Sequence, residues 1–124
     1  MELIIGGAYQ GKLSFAVKEK GFSEAELCDL SKGFAVRAFS CFYHLEALSR
    51  RAVEEGMSAD EMLEKLDPFI ENSVVISREI GSGIVPMDAF ERLWREEHGR
   101  LLSMLASRAE RVTRVFCGIA EVLK

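Results

Sequence analysis

MELIIGGAYQGKLSF, residues 1–15, is the stretch on which the reading of the fold turns. Residues 2–5, Glu-Leu-Ile-Ile, suit a short strand and lead directly into glycines. From Gly6 the spacing is a glycine, four residues, then Gly11 and Lys12, the spacing of a loop that wraps a phosphate. Residues 12–20, KLSFAVKEK, then place Leu13, Ala16 and Val17 on one helical face, and Gly21 stands where a glycine ends a helix. Strand, glycine loop and helix in that order are what such chemistry needs. Loop N–H groups converge on the anion, a lysine reaches the outer phosphates, and the positive end of the helix dipole faces them. Gly6, Gly7, Gly11 and Lys12 meet that need. Ala8, Tyr9, Gln10, Leu13 and Ser14 complete the loop and first helical turn as expected nucleotide contacts.

Leu13 breaks the pattern, because a Ser or Thr hydroxyl normally stands there to bind Mg²⁺. Ser14 is adjacent, but one residue turns a helix by about 100°. A carboxylate with the phosphates could still hold the ion, since Mg²⁺ keeps several waters. Asp29 is the candidate, and a plain loop or capping aspartate is its alternative. The expected site is therefore a weakened phosphate loop, not a coincidence of glycines.

The chain of 124 residues is expected to form a single domain, residues 1–124, with 48% apolar side chains giving it a core. A net charge of −4 argues against nucleic acid, which needs concentrated Lys and Arg. The short basic clusters at residues 50–51 and 108–114 alternate with glutamates along the chain and read as solvated faces. No run approaches a membrane span, and the apolar stretch Leu3 to Ile5 is too short for a secretory segment, so none is expected. Three cysteines without a CxxC motif suit a reducing cytoplasm, with Cys28, Cys41 and Cys117 all as small buried hydrophobes. His44 and His98 are too few for zinc.

Residues 25–30 suit either a capping box from Ser23 to Glu26 or a brief strand ending near Asp29, and the strand is favoured. Over residues 34–55, the apolar positions Phe34, Ala38, Cys41, Leu45, Leu48 and Ala52 recur at steps of three and four, which predicts one long helix closed by Gly56. Ser58 and Glu61 form a second capping box, stapled by Met57 and Met62. The helix they open should end around Asp67–Pro68. SVVIS, residues 73–77, reads as a strand covered on both faces. A long helix over residues 89–109 follows, capped by Asp88, with Phe90, Leu93, Trp94, Leu101, Leu102 and Leu105 for the core. Gly99 within it suggests close packing. Residues 112–118 make a last strand, and the Met and Phe side chains read as core. His44 and His98 both fall inside predicted helices, as packing or helix-face residues.

Strands alternating with helices predict an α/β fold of the P-loop NTPase kind, a small, mainly parallel sheet flanked by helices. Ligands of such sheets collect at the carboxyl ends of the strands. Three loops of interest lie there: residues 6–12, residues 29–31, and REIGSGIVP at residues 78–86. In the third, Arg78 and Glu79 leave a buried strand together, Gly81 and Gly83 allow a sharp turn, and Pro86 stiffens the exit. A structural crossover loop is the alternative.

IIGGAYQGK and the stretch VVISREIGSGIVPMDAFERLWREEHGRLLSMLASRAERVTRVFCGI resemble the adenosylcobinamide kinase/adenosylcobinamide-phosphate guanylyltransferase family. EIGSGIVP is the most specific part, and the resemblance covers residues 1–20 and 73–124. It implies assembly into a homo-oligomer, a late role in adenosylcobalamin synthesis, ATP or GTP with Mg²⁺ as cofactors, and adenosylcobinamide, a corrinoid, as substrate. By position, the phosphate loop with Lys12 would hold the triphosphate, helped by Arg78. Lys12, Asp29 and Glu79 would be the catalytic residues, and Asp29 would bind the metal. Leu13 stands in place of Ser or Thr, and Arg78 in place of the usual Asn. The family's guanylylated histidine belongs to a region shortened here to residues 21–32, which hold no histidine. The resemblance therefore implies a kinase of the corrinoid pathway with the guanylyltransferase activity lost. The alternative is a non-catalytic nucleotide-binding or scaffold homologue acting through oligomer or partner contacts.

Overall fold

The computed structural model describes residues 1–7, 11–80 and 88–124. Ala8, Tyr9, Gln10, Gly81, Gly83 and Pro86 lie outside the described residues.

Strand β1 (Glu2–Gly6) is the centre of a six-stranded sheet ordered β2-β3-β4-β1-β5-β6. It pairs in parallel with β4 (Val74–Arg78) on one side and β5 (Arg111–Phe116) on the other. Strands β2 (Leu27–Asp29) and β3 (Cys41–Tyr43) extend the parallel array beyond β4, and β6 (Ile119–Val122) closes the far edge antiparallel to β5. Alternate residues of the central strands serve opposite faces. Leu3, Phe42, Val75 and Val112 pack under helices α2 (Leu45–Glu54), α3 (Ala59–Ile70) and α4 (Ala89–Arg108). Ile4, Cys41, Val74, Ile76 and Val115 pack with Ala16 and Leu13 of α1 (Lys12–Lys20) on the other face. The result is the expected α/β architecture, a mainly parallel sheet with helices on both faces.

The first helix has the bounds read from the sequence, between left-handed Gly11 and left-handed Gly21. SVVIS is buried on both faces as β4. Asp88 caps α4 through the Glu91 N–H. Over residues 23–29 both readings hold in succession. The Glu26 carboxylate accepts from the Ser23 N–H and hydroxyl around a single 3₁₀ turn, and β2 then runs to Asp29.

Several expectations are corrected. Residues 34–55 are not one helix: only Leu45–Glu54 is helical, and Cys41–Tyr43 is β3. Adjacent Cys41 and Phe42 are buried on opposite faces of the sheet, a period of two that the coincidental three-and-four spacing concealed. Helix α3 runs through Pro68 to Ile70, because Pro68 and Glu64 are both solvent-exposed, so the carbonyl freed by the proline can meet water while Ile70 is buried. The chain does not end on β5. Cys117 and Gly118, both left-handed (φ 50° and 75°), turn it into β6. Gly99 has nothing near enough to demand a glycine. Leu93 and Phe116 are exposed, as is Cys117, while Cys28 is half-buried and only Cys41 is a core cysteine.

Candidate functional site

A cavity of about 610 Å³ opens at the carboxyl ends of β1, β3 and β4. One wall is the start of α1, from Gly11 to Ser14; opposite stand Ser31, Tyr43, His44, Glu46 and Arg50, with Arg78 and Trp94 between them. Described residues of the three stretches singled out in the sequence (Gly11 and Lys12, Ser31, and Arg78) therefore line one cavity, as strand ends in a parallel sheet should.

Gly11 begins α1 at φ 82°, ψ 23°, a conformation natural to glycine, and no side chain caps the helix. No acidic residue lies in the first turn, so the N–H groups there keep their positive field for an outside anion. Lys12 Nζ donates to the Gly7 carbonyl at 2.7 Å, which turns the ammonium back toward the end of β1. Burial lowers its pKa and nearby Arg78 adds to that, while Glu46 and Glu79 oppose them. The β1 and β4 ends are tied by the Glu79 N–H donating to the Gly6 carbonyl at 2.8 Å. Gly6 itself admits no side chain, since a Cβ would stand 2.4 Å from the Val115 carbonyl oxygen.

Arg78 faces the cavity, and its N–H donates to Glu46 Oε1 at 2.8 Å. Glu79 instead pairs with Arg114 at 3.3 Å and does not line the cavity. Arg50 is held by Glu91 at 2.7 Å, with its guanidinium 4.8 Å from the Trp94 ring centroid. Lys12, Arg78 and Arg50 thus put three cations around one space. Arg50 was not singled out from the sequence, where it reads as part of a solvated basic pair. Its cue lies in the far-apart Glu91, Phe90 and Trp94, which only the fold assembles.

Asp29 sits at the end of β2 and caps the turn that follows. Its Oδ1 accepts from the Ser31 N–H at 2.9 Å and hydroxyl at 2.7 Å, and lies 2.9 Å from His44 Nδ1. Burial pushes its pKa up, but the hydrogen bonds from Ser31 and His44 outweigh it and leave the carboxyl below its ordinary range. His44 is not inside a helix. It is the left-handed residue (φ 62°, ψ 39°) that starts α2, and it reaches the cavity wall. Sequence reasoning missed it because the predicted long helix ran over it.

Magnesium prefers oxygen donors in an octahedron. Leu13 offers none, Asp29 Oδ1 is engaged three times, and the described residues contain no cluster of three or more His, Cys, Asp or Glu placed for a metal. This donor set does not fit an ion caged by the protein itself.

A mainly parallel α/β sheet, with an uncapped helix following its first strand, defines an α/β fold of the P-loop-like class. The sequence model described as cobinamide kinase / cobinamide phosphate guanyltransferase matches residues 40–123, and the chain belongs to that family. The match takes in residues 40–72, which the resemblance above left out, and does not include the phosphate loop. No curated protein matches the chain. Membership carries the family's place in cobalamin biosynthesis, with a nucleoside triphosphate and cobinamide as the molecules acted on. Among the described residues, no helix is long and apolar enough to cross a membrane.

Proposed function

We propose that the chain is an NTP-dependent cobinamide kinase-like protein. The observation that carries this reading is the single cavity shared by the N-terminus of α1, Lys12 and Arg78. Phosphoryl transfer asks a protein mainly for positioning and charge stabilisation. Lys12 exchanges the Gly7 carbonyl for phosphate oxygens, the first-turn N–H groups of α1 take up further oxygens, and Arg78 meets the outer phosphates. The acceptor hydroxyl loses its proton as its oxygen bonds the γ-phosphorus, and the nucleoside diphosphate leaves. Asp29, held as a carboxylate against the cavity residues Ser31 and His44, is the group assigned to orient that hydroxyl and accept its proton, while Glu79, paired with Arg114 outside the cavity, is left without that role. No step is assigned to magnesium. Assembly into a homo-oligomer belongs to the same proposal, supported by the exposed Phe116, Ile119, Val122 and Leu123 near the β6 edge.

Calorimetric titration of ATP and of GTP, each with and without Mg²⁺, tests the cradle in the wild type and in Lys12→Ala. Micromolar binding lost in the variant, followed by phosphate transfer from the bound nucleotide to cobinamide, is the expected result. Binding without transfer would favour the non-catalytic homologue, and no binding would overturn the kinase reading.

One observation favours a second reading. His44 lines the cavity with Nδ1 at the Asp29 carboxylate, so a histidine stands beside the residues proposed to hold the nucleotide, although the resemblance assigned none to this position. Under this reading guanylyl transfer persists through His44, and protein incubated with α-labelled GTP becomes labelled in an acid-labile bond. Absence of label, or label that survives His44→Asn, would leave the kinase alone.

A further inference from the structure

Behind the cavity wall lies a chain of five polar groups. The Trp94 indole N–H donates to Ser49 Oγ at 3.0 Å, Ser49 Oγ is 2.7 Å from His98 Nδ1, and His98 Nε2 is 2.9 Å from Ser77 Oγ. The Ser77 hydroxyl donates to the Arg78 carbonyl at 3.0 Å, which His98 Nε2 also approaches at 3.2 Å. Ser49, Ser77 and His98 are wholly buried. An indole N–H can only donate and a carbonyl can only accept; the Ser49 hydroxyl has a second acceptor in the Glu46 carbonyl at 3.1 Å, so it is the Arg78 carbonyl against Nε2 that sets the tautomer, and the bare Nδ1 then takes the Ser49 proton. Ser49 donates to Nδ1 and Nε2–H donates to Ser77. The opposite tautomer would aim the bare Nε2 lone pair at the Arg78 carbonyl oxygen.

The two ends of this chain are both cavity residues. Trp94 carries the Arg50 guanidinium on its ring, and Arg78 ends β4. We propose that His98, as the neutral Nε2–H tautomer, is a positioning residue that sets Arg78 and the Trp94–Arg50 wall for a polyphosphate chain. The inference rests on the nucleotide reading for its ligand. His98 touches no ligand itself; it acts through β4 on one side and α2 on the other. Two helices, α2 and α4, and one strand, β4, are joined at this point, and a purely apolar residue would fill the same volume without fixing either end.

Three measurements test it. A long-range ¹H–¹⁵N spectrum of the imidazoles should show Nε2 protonated and Nδ1 bare for His98 at neutral pH. Calorimetric titration with inorganic triphosphate should find binding weakened about tenfold in His98→Leu. It should return to within about threefold of wild type in His98→Gln, whose amide can still donate toward Ser77. Ser49→Ala should shift the emission of Trp94, the sole tryptophan. A protonated Nδ1 overturns the tautomer. Triphosphate affinity within about twofold of wild type in a folded His98→Leu overturns the positioning role. Should that variant not fold, Ser77→Ala cuts the Arg78 end alone, and unchanged affinity there has the same meaning. If the wild type binds neither triphosphate nor nucleotide, the nucleotide reading falls instead, and the tautomer and emission results still decide whether His98 holds the wall.

Discussion

The contact between Gly6 and the Val115 carbonyl shows how a residue chosen for ligand access is also fixed by packing. Gly6→Ala would push a methyl group to 2.4 Å from that oxygen, in backbone that cannot move without shifting β5. We expect a loss of about 2–3 kcal/mol in urea denaturation, well beyond the ordinary effect of Ala in a strand. His98 makes a second prediction at this scale. Burial holds its pKa down to about 4 from 6.5, with the Arg78 charge acting the same way and the Arg78 carbonyl and Glu46 opposing it. The unfolded chain therefore takes up this proton at a higher pH than the folded one. His98 costs no stability above pH 6.5, and stability falls between pH 6.5 and about 4, by roughly 3 kcal/mol in total. Denaturation midpoints across that range, compared between wild type and His98→Gln, check the sign. A His98→Gln curve as steep as the wild type's would assign the acid sensitivity to other groups.

Elements were legible where a local rule acted alone. The strand–glycine–helix opening, the Ser58 cap and the Asp88 cap all follow from neighbours a few residues apart. Ser58→Ala should cost about 1 kcal/mol in thermal or urea unfolding, since its hydroxyl accepts from the Glu61 N–H at 3.3 Å. Residues 34–44 were not legible, because the burial of Cys41 and Phe42 on opposite faces is decided by β4, a strand some thirty residues away in sequence. With β3 hidden, His44 was hidden too, and the Asp29–His44 pair could not be foreseen. The hairpin to β6 escaped for a different reason. Its turn is Cys-Gly, whereas the usual signal for two left-handed residues is Asn-Gly. Cys117→Asn should accordingly stabilise the protein by about 0.5 kcal/mol, as a small rise in the denaturation midpoint. A fall would mean that the Cys117 side chain contributes more than its strained backbone costs.

At the scale of the molecule, the α/β class and the position of the site were readable, since both depend on the alternation of strands with helices. The cations of the site were readable only in part. Lys12 and Arg78 announce themselves at strand ends, while Arg50 becomes a site residue only when α2 packs on α4 and sets it against Glu91. Amide hydrogen exchange should reflect the layout, with β1 and β4 protected almost to the limit of global unfolding and the edge strand β6 exchanging orders of magnitude sooner. Comparable protection of β6 would show that something pairs with that edge in solution.

The strand order has one more consequence, for the way the chain is made. β1 is synthesised first, yet its partners are residues 74–78 and 111–114. At about 5–20 residues per second, the ribosome delivers the second partner several seconds to some twenty seconds after the first strand. Until residues 74–78 are made the apolar Leu3, Ile4 and Ile5 have no strand to pair with, and one edge of β1 stays open until residues 111–114 follow. The cavity cannot close until Trp94, made some eighty residues after Gly11, has joined its wall.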